Sequence, residues 1–176
     1  NDALNTFENL TYAIAPLGDP SGKFEIDAAT GAISLAAGQR LDFQTAPSHV
    51  VTVRVSDGPG LFDDVTVTIN VLNVNEAPVI TSNGGADTAA VSVNENQAAV
   101  TTVVATDADV PAQPLTYSLS GVDAAKFTIN SGTGVLTFGS APNFEAPTDA
   151  GGNNVYDVTV QASDGVLFDA QAIAVT

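Results

Sequence analysis

Residues 51–70 read Val51-Thr52-Val53-Arg54-Val55-Ser56-Asp57-Gly58-Pro59-Gly60-Leu61-Phe62-Asp63-Asp64-Val65-Thr66-Val67-Thr68-Ile69-Asn70. Val51, Val53 and Val55 alternate with Thr52 and Arg54, and Val65, Val67 and Ile69 alternate with Thr66, Thr68 and Asn70. A period of two puts each apolar set on one side of a pleated chain, so both runs read as strands with one buried face. Asp57-Gly58-Pro59-Gly60 between them is turn chemistry. The same signature returns elsewhere: Val158 and Val160 alternate with Thr159 and Gln161, and Gly18-Asp19-Pro20-Ser21-Gly22 and Asn130-Ser131-Gly132 are further turn clusters. Short strands at this spacing predict an all-β sandwich architecture. The one helix-like stretch, Asp27-Ala28-Ala29-Thr30-Gly31, is too short and ends in Gly, so no long helix is expected.

The strand pattern is repeated. Leu10-Thr11-Tyr12 recurs as Leu115-Thr116-Tyr117, Phe24-Glu25-Ile26 as Phe127-Thr128-Ile129, and Thr30-Gly31-Ala32-Ile33 as Thr133-Gly134-Val135-Leu136. Ser56-Asp57-Gly58 then matches Ser163-Asp164-Gly165, and Phe62-Asp63 matches Phe168-Asp169. Five matches in one order imply two copies of one unit. The boundary falls at Asn73-Val74-Asn75-Glu76-Ala77-Pro78, where Pro78 removes a ladder donor, giving units of residues 1–78 and 79–176. Copy two opens with Val91-Ser92-Val93-Asn94-Glu95-Asn96 and Ala99–Ala105, read as its first two strands. Copy one has no counterpart, so it is expected to lack two strands that upstream chain, or another molecule, would supply.

The 176 residues, 44 % of them hydrophobic, suffice for buried cores. Twenty acidic residues against 4 basic ones give a net charge of −16, carried by both copies, and no Lys/Arg cluster suits nucleic acid or an anionic membrane surface. No apolar run approaches the roughly 20 residues that span a bilayer. With no Cys and one His, disulfides, thiolate metal sites, cysteine nucleophiles and the usual catalytic triads fall away. The chain lacks Met and begins Asn1-Asp2-Ala3, which reads as material from something longer, and thiol avoidance fits a secreted surface protein.

The acids collect where strands end. Asp107-Ala108-Asp109 closes the second strand of copy two, Asp164 closes the strand beginning near Val155, Asp42 follows Leu41, and Asn75-Glu76 occupy the linker. Converging carboxylates repel unless a cation lies between them, and a hard ion taking 6–8 oxygens is what Ca2+ requires. Mg2+, which wants a small octahedral cage, fits less well.

The ordered pattern Asp-x-Asp, Leu-x-Tyr, Phe-x-Ile, Thr-Gly-x-Ile/Leu, Leu-Asp, Ala-x-Asp-Gly and Asn-x-Asn-Glu-Ala-Pro resembles the cadherin repeat, above all the cadherin-like repeats of bacterial surface proteins and adhesins. The resemblance implies two tandem seven-stranded Greek-key sandwiches with Ca2+ at the junction. Carried over by position, it implies that Asp42, Asn73, Asn75 (through its carbonyl), Glu76, Asp107, Asp109 and Asp164 hold the metal. Gln44 stands where the family has glutamate and Asn73 where it has aspartate, so one or two ions are expected. Glu95 with Glu145, and Asp2 with Asp57, read as half-sites toward a following and a preceding unit.

Other residues have plainer readings. A single Asp beside Gly, such as Asp57 or Asp164, is ordinarily a turn former, and only joint placement with the linker favours metal for Asp107, Asp109 and Asp164. The insert Asp149-Ala150-Gly151-Gly152-Asn153-Asn154 reads as a plain Gly-rich turn, with a separate calcium loop as the alternative, for which one carboxylate is thin. His49 is expected at the surface or a strand edge, and Tyr12 and Tyr117 in cores. Asn9-Leu10-Thr11 matches a glycosylation acceptor that carries little weight here.

The functional expectation is a calcium-stiffened spacer and adhesion segment of an extracellular protein at the cell surface, whose partners are neighbouring repeats and like molecules. One competing reading is a filament subunit completed by strand exchange between neighbours. Another is a carbohydrate-binding module with glycan partners, which the lack of Trp and the presence of only 3 Tyr disfavour. Catalysis is not expected, because the paired acids have no aromatic subsite around them.

Overall fold

A computed structural model describes residues 10–57 and 60–176, which divide into two compact units, one ending at Val74 and one beginning at Asn75. In the first unit β1 (Thr11–Ile14), β2 (Phe24–Ile26), β3 (Ile33–Leu35), β4 (Ser48–Ser56) and β5 (Phe62–Asn70) follow one another. They form an antiparallel sheet ordered β1-β4-β5 and a separate β2-β3 pair. In the long β4-β5 ladder Val51 lies opposite Val67 and Val53 opposite Val65. The alternation read from the sequence is thereby converted into one apolar face. Phe24, Val51 and Val53 are buried, with Tyr12, Ile14, Ile26, Ile33, Leu41, Val67 and Ile69 packed against them.

The second unit adds β6 (Val79–Ile80), β7 (Thr88–Val91), β8 (Ala99–Thr102), β9 (Ala105–Thr106), β10 (Thr116–Ser120), β11 (Phe127–Ile129), β12 (Val135–Phe138), β13 (Tyr156–Ser163) and β14 (Phe168–Val175). One sheet runs β10-β13-β14-β7, with β7 parallel to β14, and a second runs β11-β12-β8, while β6 pairs with β9. A single 3-10 turn at Ala124–Lys126 is the only helical element among the described residues. The core joins Ile80, Val103, Tyr117, Phe127, Leu136, Phe138, Tyr156, Val158, Val160, Ala162, Ile173 and Val175. Phe127, Phe138 and Tyr156 form a ring cluster with centroid separations of 4.5 to 6.3 Å. The Tyr117 hydroxyl accepts a bond from Ala105 N at 3.0 Å, which satisfies its polar end inside the core.

The units differ in what covers the last strand. In the second, Ile173 and Val175 are buried, and Gln171 is 0 % exposed because its amide donates to Ser82 O and Ala86 O and its oxygen accepts from Asn83 Nδ2. Equivalent positions in β5 are Val67 and Ile69, both only half-buried, and Val65, which is 57 % exposed. Among the described residues β5 pairs with β4 alone, whereas β14 is flanked by β13 and β7.

Three local expectations are corrected. The strand expected over 91–96 sits at Thr88–Val91; beyond it Val93 N still bonds Thr176 O, and the chain then turns with Asn96 at φ +60°. The run 99–105 is divided at Val103-Val104, because Val103 N bonds Gly134 O while Val104 O accepts from Thr81 and Ser82. His49 is not a surface residue. It is 8 % exposed, pairs with Ile69 of β5 at a point on β4 beyond the stretch that β1 covers, and has its ring 5.5 Å from that of Phe24. Among the described residues no helix is long and apolar enough to cross a membrane.

Candidate metal centre

In the second unit Asp107, Asp109 and Asp164 each offer a carboxylate oxygen within 4.8 Å of the others. Asp107 and Asp109 lie just after β9, and Asp164 follows directly on β13, so strand ends deliver all three. Asp107 Oδ1 accepts from Asp109 N at 2.9 Å, which fixes the Asp-x-Asp turn. Asp109 Oδ2 accepts from Glu76 N at 3.0 Å and from Gln113 Nε2 at 3.5 Å. Asp164 Oδ1 takes the amides of Val166 and Leu167 at 2.6 and 2.7 Å, and its Oδ2 takes Asn75 Nδ2 at 2.8 Å. The Val166 amide, then the Leu167 amide, hold the Asp164 carboxyl below its ordinary pKa, with Asn75 adding to the effect.

The donor set fits a hard cation. Asp107 Oδ2 and Asp109 Oδ1 are buried and have no hydrogen-bond partner. An orphaned buried carboxylate oxygen is costly, and two beside a third acid are costlier, unless a cation satisfies them. All the groups are oxygen donors, which is the ligand chemistry of Ca2+ rather than of softer metals.

Asn75 does not direct its side chain away from this group. Its Nδ2 reaches Asp164, and its Oδ1 accepts from Gln113 Nε2 at 2.6 Å. Gln113, from the segment Pro111-Ala112-Gln113-Pro114, thus bridges Asn75 and Asp109, and nothing in its spacing flagged it. Glu76 contributes its backbone amide, and its carboxylate is on an exposed residue. Asp42 and Asn73 lie in the first unit. Asp42 Oδ1 accepts from the amides of Gln44 and Thr45, its Oδ2 accepts from Thr45 Oγ1 at 2.6 Å, and Asn73 Oδ1 accepts from Gln44 Nε2 at 2.9 Å. Gln44 therefore orients Asn73 from the place where the repeat pattern would put a glutamate.

Of the half-sites, Glu95 Oε2 accepts from Phe144 N at 3.1 Å, and Asp57 Oδ1 is buried without a hydrogen-bond partner. Asp2 and Asn9 lie outside the described residues. Asp149 spends its carboxylate on the amides of Asn153 and Asn154, at 3.0 and 3.1 Å, so its loop is closed by backbone donors. The Asn153 amide lowers its pKa most.

Residues 89–174 match the family model described as Cadherin domain. The chain is 34 % identical to protocadherin Fat 1 of Homo sapiens over 162 residues, which is 88 % of this chain and 3 % of that protein. It is 31 % identical to cadherin-related family member 1a of Danio rerio over 134 residues, 70 % of this chain and 16 % of that one. A crystal structure of mouse cadherin-23 EC22-24 superposes with a TM-score of 0.67 at 27 % identity, covering 98 % of this chain and 53 % of that one. The chain thus spans a small part of the curated relatives it matches. Its second unit carries the cadherin-domain match, and most of the chain is similar to long cadherin-type proteins.

Proposed function

We propose that this chain is a calcium-stiffened segment of a tandem cadherin-type array in an extracellular adhesion protein at the cell surface, acting as spacer and adhesive module. The observation that carries the reading is the pair of partnerless buried oxygens on Asp107 and Asp109, beside Asp164. In this reading Asp107, Asp109 and Asp164 bind Ca2+ from the second repeat, Asn75 and Glu76 from the linker, and Asp42 and Asn73 from the first repeat. Repeats of residues 1–78 and 79–176 would each be a Greek-key sandwich of the seven-stranded type. A bacterial parent is the finer proposal. It rests on the motif pattern alone, and the relatives named above are animal proteins.

An ion that binds only the folded protein stabilises it by mass action, about 2.7 kcal/mol at a hundredfold excess over Kd. Thermal unfolding with Ca2+ and then with EDTA tests this. The second unit should melt several degrees lower without the ion, and an unchanged transition overturns the proposal.

The half-exposed Val67 and Ile69 and the uncovered Val65 favour a second reading, in which a neighbouring molecule supplies the strand beside β5 and so builds a filament. Electron microscopy of the pure protein separates rods of single chains from fibres.

A further inference from the structure

Lys23, Arg40 and His49 line one cavity of about 270 Å3 in the first unit, together with Asp42, Thr45 and Ala46. Half of the four Lys and Arg residues of a chain with net charge −16, and its only His, therefore meet at one place. They come from separate segments: Lys23 immediately precedes β2, Arg40 lies in the β3-β4 connection, and His49 is on β4.

We infer that this cavity is a binding site for a small oxyanion, the group shared by carboxylates and by sulfate and phosphate esters. The buried Nε2 of His49 has no hydrogen-bond partner, although the residue is 8 % exposed. A buried imidazole nitrogen left unpaired costs free energy that a ligand oxygen recovers. The first unit's other cation, Arg54, is consumed by a bidentate pair with Asp64 and by stacking 3.7 Å from the Phe62 ring. No carboxylate among the described residues lies within ion-pair distance of Lys23 or Arg40. Lys23 Nζ donates to the backbone carbonyl of Arg40 at 2.8 Å, which anchors the Lys23 side chain beside Arg40.

Asp42 is the one group of opposing sign, and both its oxygens are occupied by Gln44 and Thr45. Lys23 and Arg40 outnumber it along the lining. The guanidinium supplies planar paired donors, the ammonium a mobile point charge and the imidazole a buried donor, a combination that takes an oxyanion and discriminates against neutral ligands.

The test is heteronuclear NMR of the full 176-residue chain, stripped of divalent ions and then freed of chelator, in moderate salt, titrated separately with inorganic phosphate, sodium sulfate and sodium acetate. Working without divalent ions makes the outcome independent of the calcium proposal. Saturable shifts of the His49 ring and the Arg40 Nε-H are expected with at least one of the three, and the tightest probe identifies the source chemistry. R40Q and K23Q should each weaken binding by about tenfold, the worth of one charge-assisted contact. Both are surface changes whose folding is checked in the same spectra. No saturable shift with any probe overturns the site, as does binding that neither variant weakens, which would mark an adventitious ion only.

Discussion

Asn75 Nδ2 lies 2.8 Å from Asp164 Oδ2, a bond across 89 residues of sequence that ties the chain entering the second unit to the end of β13. Asp109, which accepts the Glu76 amide, makes a parallel tie one residue further on. The acids that would hold a cation are therefore the same groups that fix the linker's end, and binding chemistry and chain geometry are coupled here.

That coupling predicts opposite signs for one substitution. In Ca2+, D109N should weaken ion binding by about tenfold, the equivalent of one charge contact. In EDTA it should raise the melting temperature, because three clustered carboxylates repel and Asn still accepts the Glu76 amide. Calorimetric scans of both proteins in both buffers check the sign reversal. A variant that melts lower in both buffers would show that Asp109 is structural only.

Acid should unfold the second unit through Asp164. Its folded pKa lies below the unfolded value of about 3.9, so its contribution is complete above that value and disappears as pH falls through the folded one. Asp149, held down by the Asn153 amide, acts in the same direction. Melting temperatures should be flat from neutral pH to about 5 and fall below about 4. D164N should shallow that acid limb, and an unchanged limb contradicts the assignment.

Gly134 and Gly31 hold equivalent turns at φ +69° and +73°. A Cβ on Gly134 would clash with the backbone carbonyl of Val103, whereas on Gly31 it would meet the Tyr12 ring at 3.0 Å. Both alanine variants bear the left-handed penalty of about 1–2 kcal/mol. G134A must also displace Val103, whose amide bonds Gly134 O, so it should be the more destabilising of the two in urea midpoints. The reverse order would contradict the packing.

Coverage of the last strand makes a further contrast. I173A should cost about 2–5 kcal/mol, the range for truncating a fully buried side chain. V65T, at an uncovered position, should change stability by no more than about 0.5 kcal/mol. Amide exchange should follow the same order, with β5 exchanging faster than β14. Equal protection would mean that the first unit is already covered.

Much of the architecture is legible in the sequence because period-two alternation and turn residues are local signals. Val51, Val53 and Val55 announce β4, and the Thr-Gly turns announce the β2-β3 and β11-β12 hairpins. What is not legible depends on long-range pairing. Thr88-Ala89-Ala90-Val91 is weakly patterned and becomes β7 only because β14 offers a parallel edge. Gln171 looks like an outward polar residue until the 82–86 loop folds over it. At the candidate metal centre, Asp107 and Asp109 declare themselves by adjacency and Asp164 by its repeat position. Gln113 is placed by a chain path that no spacing encodes, and the burial of His49 depends on the Phe24 ring brought against it from β2.

The most direct measurement is calorimetric titration of Ca2+ into chelator-stripped protein, alongside the D107N/D109N/D164N variant. The account predicts saturable uptake of at least one ion per chain, and loss of that uptake in the variant. No saturable uptake at millimolar Ca2+, or uptake the triple substitution leaves intact, would contradict it.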